Sequence, residues 1–273
     1  MKPAPVDYTR PETIADAIAV LNDEGDAAMP VAGGQSLVPM MSLRLTSFEK
    51  LVDISRLGDL QRREETADHV FLGAATTHAM IEDGRCPDPS RGLMARVASK
   101  IAYRTVRNHG TIGGSVALAD PAADWPACLI ALDAEIVLAG PGGERTERAD
   151  GFFRGPYETA RAAADIIVGF RIRKLSAGAG WGVFKVARKS GAFSDSLAIA
   201  VRSGDGTARI ALAGTTTHAG LLQRASAALA AGDTAGLPEA ARADVAALDP
   251  DADPYRLRCH IATVTRAAAE ALS

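Results

Sequence analysis

Cysteine is scarce and scattered. Cys86, Cys128 and Cys259 share no C-x-x-C spacing, so the ligand pattern of an iron–sulfur cluster or a structural zinc site is missing. The histidines, at positions 69, 78, 109, 218 and 260, are equally dispersed. Each reads as a surface or hydrogen-bonded residue in preference to a ligand, and no metal is expected on this chain. Long apolar runs are missing too. No stretch stays uncharged long enough to span a bilayer, and Met1–Asp7 lacks the apolar core of a signal peptide, so a cytoplasmic location is expected. There is no excess of positive charge: the net charge of −3 supplies no basic field to attract nucleic acid.

What remains is the composition of a soluble globular protein, 47% hydrophobic and 23% charged over 273 residues, enough for two modest domains or one large one. The first 175 residues alternate short β-like runs with helical patterns, which predicts mixed α/β layers. Thr13 to Leu21 spaces Ile14, Ala17, Ile18 and Leu21 at helical intervals behind a threonine cap. Residues 29–32, 51–54, 70–74, 135–139 and 166–172 read as strands. Asp120-Pro121 places an N-cap residue before a proline, predicting a helix from there to about Leu132. The small, uncharged Ser176-Ala177-Gly178-Ala179-Gly180 predicts a domain boundary. Beyond it, residues 181–189, 196–201 and 208–213 predict an antiparallel sheet, followed by helices near 220–231 and 254–272. In the last helix Leu257, Ile261, Val264, Ala268 and Leu272 are expected on the packed face.

Two glycine loops carry the chemistry, Val31-Ala32-Gly33-Gly34-Gln35-Ser36-Leu37 and Thr111-Ile112-Gly113-Gly114-Ser115, each after a β-like run. Glycine permits positive φ and close approach of a ligand, and consecutive N–H groups in such a turn make a concave anion site. Gln35, Ser36, Thr111 and Ser115 add uncharged donors, and Asp124 can accept from sugar hydroxyls. The pair suits a dinucleotide pyrophosphate, although an ordinary turn at each glycine pair satisfies the spacing equally well. Neither loop follows the Rossmann or P-loop pattern, and Gly34-Gln35-Ser36-Leu37-Val38 lacks the second glycine of a serine-hydrolase elbow.

Ala32-Gly33-Gly34-Gln35-Ser36-Leu37-Val38-Pro39-Met40-Met41, Leu51-Val52-Asp53-Ile54, Val106 to Ser115, Ala119 to Asp124 and Lys185-Val186-Ala187-Arg188 occur in that order. On these motifs the chain resembles, from near its start to its end, the FAD-binding medium subunits of the xanthine dehydrogenase and carbon monoxide dehydrogenase group of molybdenum hydroxylases. The resemblance implies an α+β fold of the vanillyl-alcohol-oxidase (PCMH) type: an FAD-binding domain over residues 1–175, built of two α/β subdomains at about 1–55 and 56–175. A carbon monoxide dehydrogenase flavoprotein-like domain, with a three-stranded sheet and helices, would follow over 176–273. It also implies that Val31, Ala32, Gly33, Gly34, Gln35, Ser36 and Leu37, with Thr111, Gly113, Gly114 and Ser115, wrap the pyrophosphate and ribityl chain. Asp124 would bond the sugar-like portion, Ile101 and Ala102 line the cavity, Val168 lie against the adenine and Lys185 approach the ring system. A solvated strand lysine is the plain alternative for Lys185. Phe193 stands where related chains often carry a tyrosine beside the isoalloxazine, keeping a stacking face and losing the hydroxyl.

Partners follow from the same resemblance: a large molybdopterin subunit and a small subunit with two [2Fe–2S] clusters, in a heterotrimer doubled to (αβγ)2. FAD on this chain would take electrons from the clusters and pass them to an external small-molecule or protein acceptor, with no catalytic side chain required. One rival is a stand-alone flavin oxidase of the same fold. It commonly tethers FAD through a histidine in the first loop, where this chain has Gln35, and it needs a larger substrate domain than the residues after Leu175 provide. The other rival is a non-catalytic interaction subunit without FAD; the intact pair of loops argues against it, and the purified protein, yellow if it carries flavin and colourless if not, decides.

Overall fold

The computed structural model describes residues 2–273. Thr13 accepts a hydrogen bond from the Asp16 amide and so starts the helix Ile14–Glu24. Ala17 and Leu21, one turn apart, bury that helix against a parallel three-stranded sheet. Lys50–Asp53 is the central strand, flanked by Asp7–Thr9 and Ala28–Val31. The Asp53 carboxylate, held by Tyr8, Arg10 and the Ser55 amide, ties the sheet's ends together.

A second, antiparallel sheet has five strands in the order Arg63–Glu65, His69–Gly73, Ile166–Arg173, Glu135–Gly140, Gly143–Arg148. Its edge strand Gly143–Arg148 is polar and mostly exposed, which discourages pairing with another chain. After an exposed turn at 176–179, the chain forms a third sheet. Gly180–Val186, Ser196–Arg202, Ala208–Ala213 and Gly220–Leu221 run as an antiparallel meander, one strand more than the resemblance implied. Its two faces separate by the period of two: Ala198, Ala200, Ile210 and Leu212 face the C-terminal helices, while Leu197, Ile199, Ala211 and Ala213 join the core of the second sheet. Between those two sheets lies the helix Asp124–Ala131, every residue of which is buried.

Three expectations need correction. The helix expected from Asp120 begins at Asp124. The Asp120 carboxylate instead accepts from the Ala122 amide and the Asp120 carbonyl from the Ala123 amide, a turn that uses up the capping group. The helix Leu237–Leu248 was not anticipated, because Leu237, Ala241 and Val245 are its only buried residues in an alanine-rich run. The last helix, Pro254–Leu272, packs through His260, Thr263, Val264, Ala267, Ala268 and Ala271. Leu257 and Ile261 are only partly buried and Leu272 is exposed. Small residues won because the sheet is glycine-lined there: a Cβ on Gly182 would lie 2.0 Å from the Ala267 carbonyl oxygen, and one on Gly180 2.2 Å from that of Ala271.

Candidate cofactor site

A cavity of about 510 Å3 lies between the parallel sheet, the second sheet and the segment 191–193, within the size range of small-molecule sites. Its centre is where the two glycine loops meet. A Cβ on Gly33 would lie 2.1 Å from the His109 carbonyl oxygen, so only glycine lets the first loop sit against the segment entering the second. Gly34 adopts φ +66°, and the loop then runs into the short helix Leu37–Ser42. The amides of Gly33, Gly34, Gln35 and Ser36 have no acceptor within the protein among the described residues. Gln35 Nε2 braces the turn by donating to the Gly33 carbonyl at 3.0 Å. These consecutive free donors form an anion cradle.

The second loop is built differently. It follows the helix Arg104–Arg107, not a strand, and Thr111 caps the helix Ile112–Leu118. Its amides are mostly spent: Gly113 donates to the Ala74 carbonyl, Gly114 to Thr111 Oγ1 and Ser115 to the Thr111 carbonyl. It therefore offers the cavity hydroxyls and a close glycine wall, not a second row of amides.

Of the residues named from the sequence, Val31 to Leu37, Ile101, Ala102, Thr111, Gly113, Gly114, Ser115, Asp124 and Phe193 line this one cavity. Val168 does not. It occupies the irregular register between Ile167 and Gly169, gives its carbonyl to the Ala74 amide and packs in the core with Leu21 and Val52, while Ile166 and Ile167 reach the cavity. Lys185 does not line it directly either. Its Nζ lies 2.8 and 3.0 Å from the two carboxylate oxygens of Asp124, which does. With side chains 11% and 6% exposed, the two form a nearly buried ion pair. Burial pushes the Asp124 carboxyl up to about 6, the Lys185 charge offsetting part of that rise.

Sequence reasoning missed His78, whose single histidine after a strand carries no motif. It is buried, lines the cavity and accepts at Nδ1 from the Trp125 indole N–H at 3.0 Å. Burial, then the Arg107 charge, hold it down at about 4, so it is neutral at pH 7. With Nδ1 accepting, the ring proton belongs on Nε2, which makes His78 a fixed uncharged donor. Arg161 was also missed. It lines the cavity, donates through one terminal nitrogen to three carbonyls, and its Nε is buried without a partner among the described residues.

A Ser196–His260–Asp249 constellation lies elsewhere, with Ser196 Oγ 2.8 Å from His260 Nδ1 and His260 Nε2 3.4 Å from Asp249. All three residues are buried, so no substrate reaches the serine and the group serves as a polar staple between sheet and helix. Among the described residues no group of three or more His, Cys, Asp or Glu side chains is placed to hold a metal ion. No helix among them is long and apolar enough to cross a membrane.

Residues 4–174 match the family described as the FAD binding domain in molybdopterin dehydrogenase. The chain belongs to this family. It is 39% identical over 191 residues to the carbon monoxide dehydrogenase medium chain of Hydrogenophaga pseudoflava, covering 70% of this chain and 67% of that one. It is 38% identical to the nicotine 6-hydroxylase medium subunit of Paenarthrobacter nicotinovorans, over 70% of this chain and 66% of that one. Aligned segments thus span about two thirds of these curated relatives, whereas the fold is shared throughout. A carbon monoxide dehydrogenase structure from Hydrogenophaga pseudoflava superposes with a TM-score of 0.91 at 34% identity, over 100% of this chain and 99% of that one. Quinoline 2-oxidoreductase from Pseudomonas putida 86 gives 0.87 at 30% identity, over 99% and 98%. The α+β architecture is therefore the PCMH-type FAD-binding fold that the motifs implied. The cradle of Gly33 to Ser36, a site that takes an anion without a fixed cation, fits the diphosphate of FAD, and the uncharged donors of Ser36, His78 and Ser115 beside it fit a polyhydroxylated chain.

Proposed function

We propose that this chain is the FAD-carrying medium subunit of a molybdopterin-dependent hydroxylase or dehydrogenase. The observation that carries the reading is the junction of Gly33 with His109, which puts four unbonded amides and the Thr111–Ser115 loop on one cavity. The amides of Gly33 to Ser36 bind the diphosphate, assisted by the Nε2–H of His78. Ser115 and Asp124 orient the polyol portion, and Lys185, held by Asp124, sets the charge at the ring end. Ile101, Ala102 and Phe193 exclude water from one side of the ring. When bound, FAD exchanges single electrons with an iron–sulfur centre and electron pairs with an acceptor.

Residues 1–55 and 56–175 act as the two halves of the FAD clasp, and 176–273 as a third part that reaches the cavity through Phe193 and braces its wall through the bond of Lys185 to Asp124. The names of the relatives, medium chains and medium subunits, support a complex with other subunits; in this reading those are a large molybdopterin subunit and a small subunit carrying two [2Fe–2S] clusters, doubled to (αβγ)2 in the cytoplasm. The substrate binds on the large subunit. Purification of the native complex tests the reading. Molybdenum, iron and FAD in one assembly, with FAD on this chain, is the expected result; a flavin-bearing monomer active on its own substrate would mark a stand-alone oxidase and refute it.

A further inference from the structure

One side chain ties together several pieces of the cavity wall. Arg107 ends the short helix Arg104–Arg107, just before the second glycine loop, and its side chain is only 12% exposed. Its guanidinium is fully engaged: Nε and Nη2 donate to the two carboxylate oxygens of Glu82 at 2.7 and 3.0 Å, and Nη1 donates to the carbonyls of Ile101 and Ala102, each at 2.9 Å. A forked bond of this kind fixes the plane and direction of the guanidinium. Glu82 in turn ends the helix His78–Glu82, whose first residue lines the cavity.

The two carbonyls belong to a turn that local preference alone would not hold. Ala102 adopts φ +43°, in the left-handed region that a residue with a side chain rarely enters, and Gly191 at φ +77° packs on its carbonyl, where a Cβ would lie 2.6 Å from the oxygen. Such a conformation persists only where its surroundings over-determine it. Ile101 and Ala102 both line the cavity, whereas Arg107 stands behind them. Arg104 differs in kind. It shares Glu82, at 2.9 Å, but its side chain is 47% exposed and its bonds go to Glu82, Asp83 and Asn108, not to the 101–102 turn.

We infer that Arg107 is a positioning residue of the flavin site: without touching the cofactor, it holds the 101–102 turn in its left-handed form and so fixes the wall against which the ring end of FAD lies, while Glu82 aims the guanidinium. The inference rests on the FAD reading above and deepens it. Lysine cannot stand in, because one ammonium on a flexible stem cannot grip both carboxylate oxygens and also reach two carbonyls. The contact depends on shape, not on charge alone.

The test uses the full-length chain stripped of flavin and two probes: FAD itself, and ADP, which keeps the diphosphate and lacks the ring. Arg107→Lys is expected to weaken FAD about tenfold and ADP less than about twofold, and to alter the visible circular dichroism of the FAD that still binds. Arg104→Gln is expected to leave both affinities and the dichroism unchanged. Ala102→Gly takes up φ +43° without a side-chain penalty, so adding it to Arg107→Lys is expected to recover at least about threefold in FAD affinity. Should Arg107→Lys fail to fold, Glu82→Gln, which loosens the fork, is expected to weaken FAD about threefold and to spare ADP. FAD and ADP weakened alike, FAD affinity and dichroism both unchanged, Arg104→Gln matching Arg107→Lys, or no recovery with Ala102→Gly each overturns the inference and leaves the FAD reading standing. A wild-type chain that binds neither probe overturns both readings together.

Discussion

Replacing Lys185 with methionine isolates the electrostatics of the cavity wall. Asp124 is almost fully enclosed, and its carboxyl lies at about 6 instead of the usual 3.8 even with Lys185 in contact. A folded-state value raised by about two pH units corresponds to about 3 kcal/mol, a contribution to stability that is complete below pH 3.8 and lost as pH rises through 6. At pH 8 the pair is ionised, and removing the cation strands a buried carboxylate at a cost of about 3–5 kcal/mol. At pH 5 Asp124 is already largely protonated, so the ammonium has little charge to meet and its loss costs about 1 kcal/mol or less. Urea unfolding of wild type and Lys185→Met at pH 5 and pH 8, with unchanged m-values, measures the difference. An equal loss at both pH values, or a loss below about 1 kcal/mol at pH 8, would refute the claim that the pair is desolvated.

The histidine of the same wall gives the opposite slope. His78 is held down at about 4 against an ordinary 6.5, so its contribution is present above 6.5 and lost as pH falls through 4; His78→Gln is expected to remove about 3 kcal/mol of that acid lability, read from melts between pH 4 and 7. Gly33→Ala puts a Cβ 2.1 Å from the His109 carbonyl oxygen and is expected to cost about 2 kcal/mol and at least about tenfold in FAD affinity. Gly58→Ala, with nothing within 4 Å, is the control that leaves both unchanged. Gly182→Ala meets the Ala267 carbonyl at 2.0 Å and is expected to lower stability by about 1–3 kcal/mol by prising the last helix from its sheet; a melting temperature equal to wild type would contradict the tight helix-on-sheet contact.

Local rules carried the sequence reading wherever one residue's chemistry decided the outcome. Thr13 capped its helix, the period-two runs became strands, and the motif pair at 33 and 113 came together on one cavity. Failures came where two local signals competed or where distant residues decided. Asp120 had one carboxylate for two possible turns and gave it to the nearer amide. Val168 left the cavity because the ladder shifts register at that residue. The face of the last helix was set by Gly180 and Gly182, not by its own leucines. The roles of Asp124 and Lys185 were implied by resemblance, but their bond to each other spans 61 positions in sequence. His78 was invisible for the same reason, since its tautomer depends on Trp125, 47 positions away.

The helix Asp124–Ala131, enclosed between two sheets from different parts of the chain, makes the protein's halves interdependent. Its first residue grips the strand Gly180–Val186, beyond the exposed turn at 176–179, so whatever stabilises one side is felt as affinity on the other. Flavin loading and seating of the C-terminal part thus draw on a common free energy: a chain cut after residue 175 would lose its hold on the cofactor, and one starved of flavin would open first along that seam.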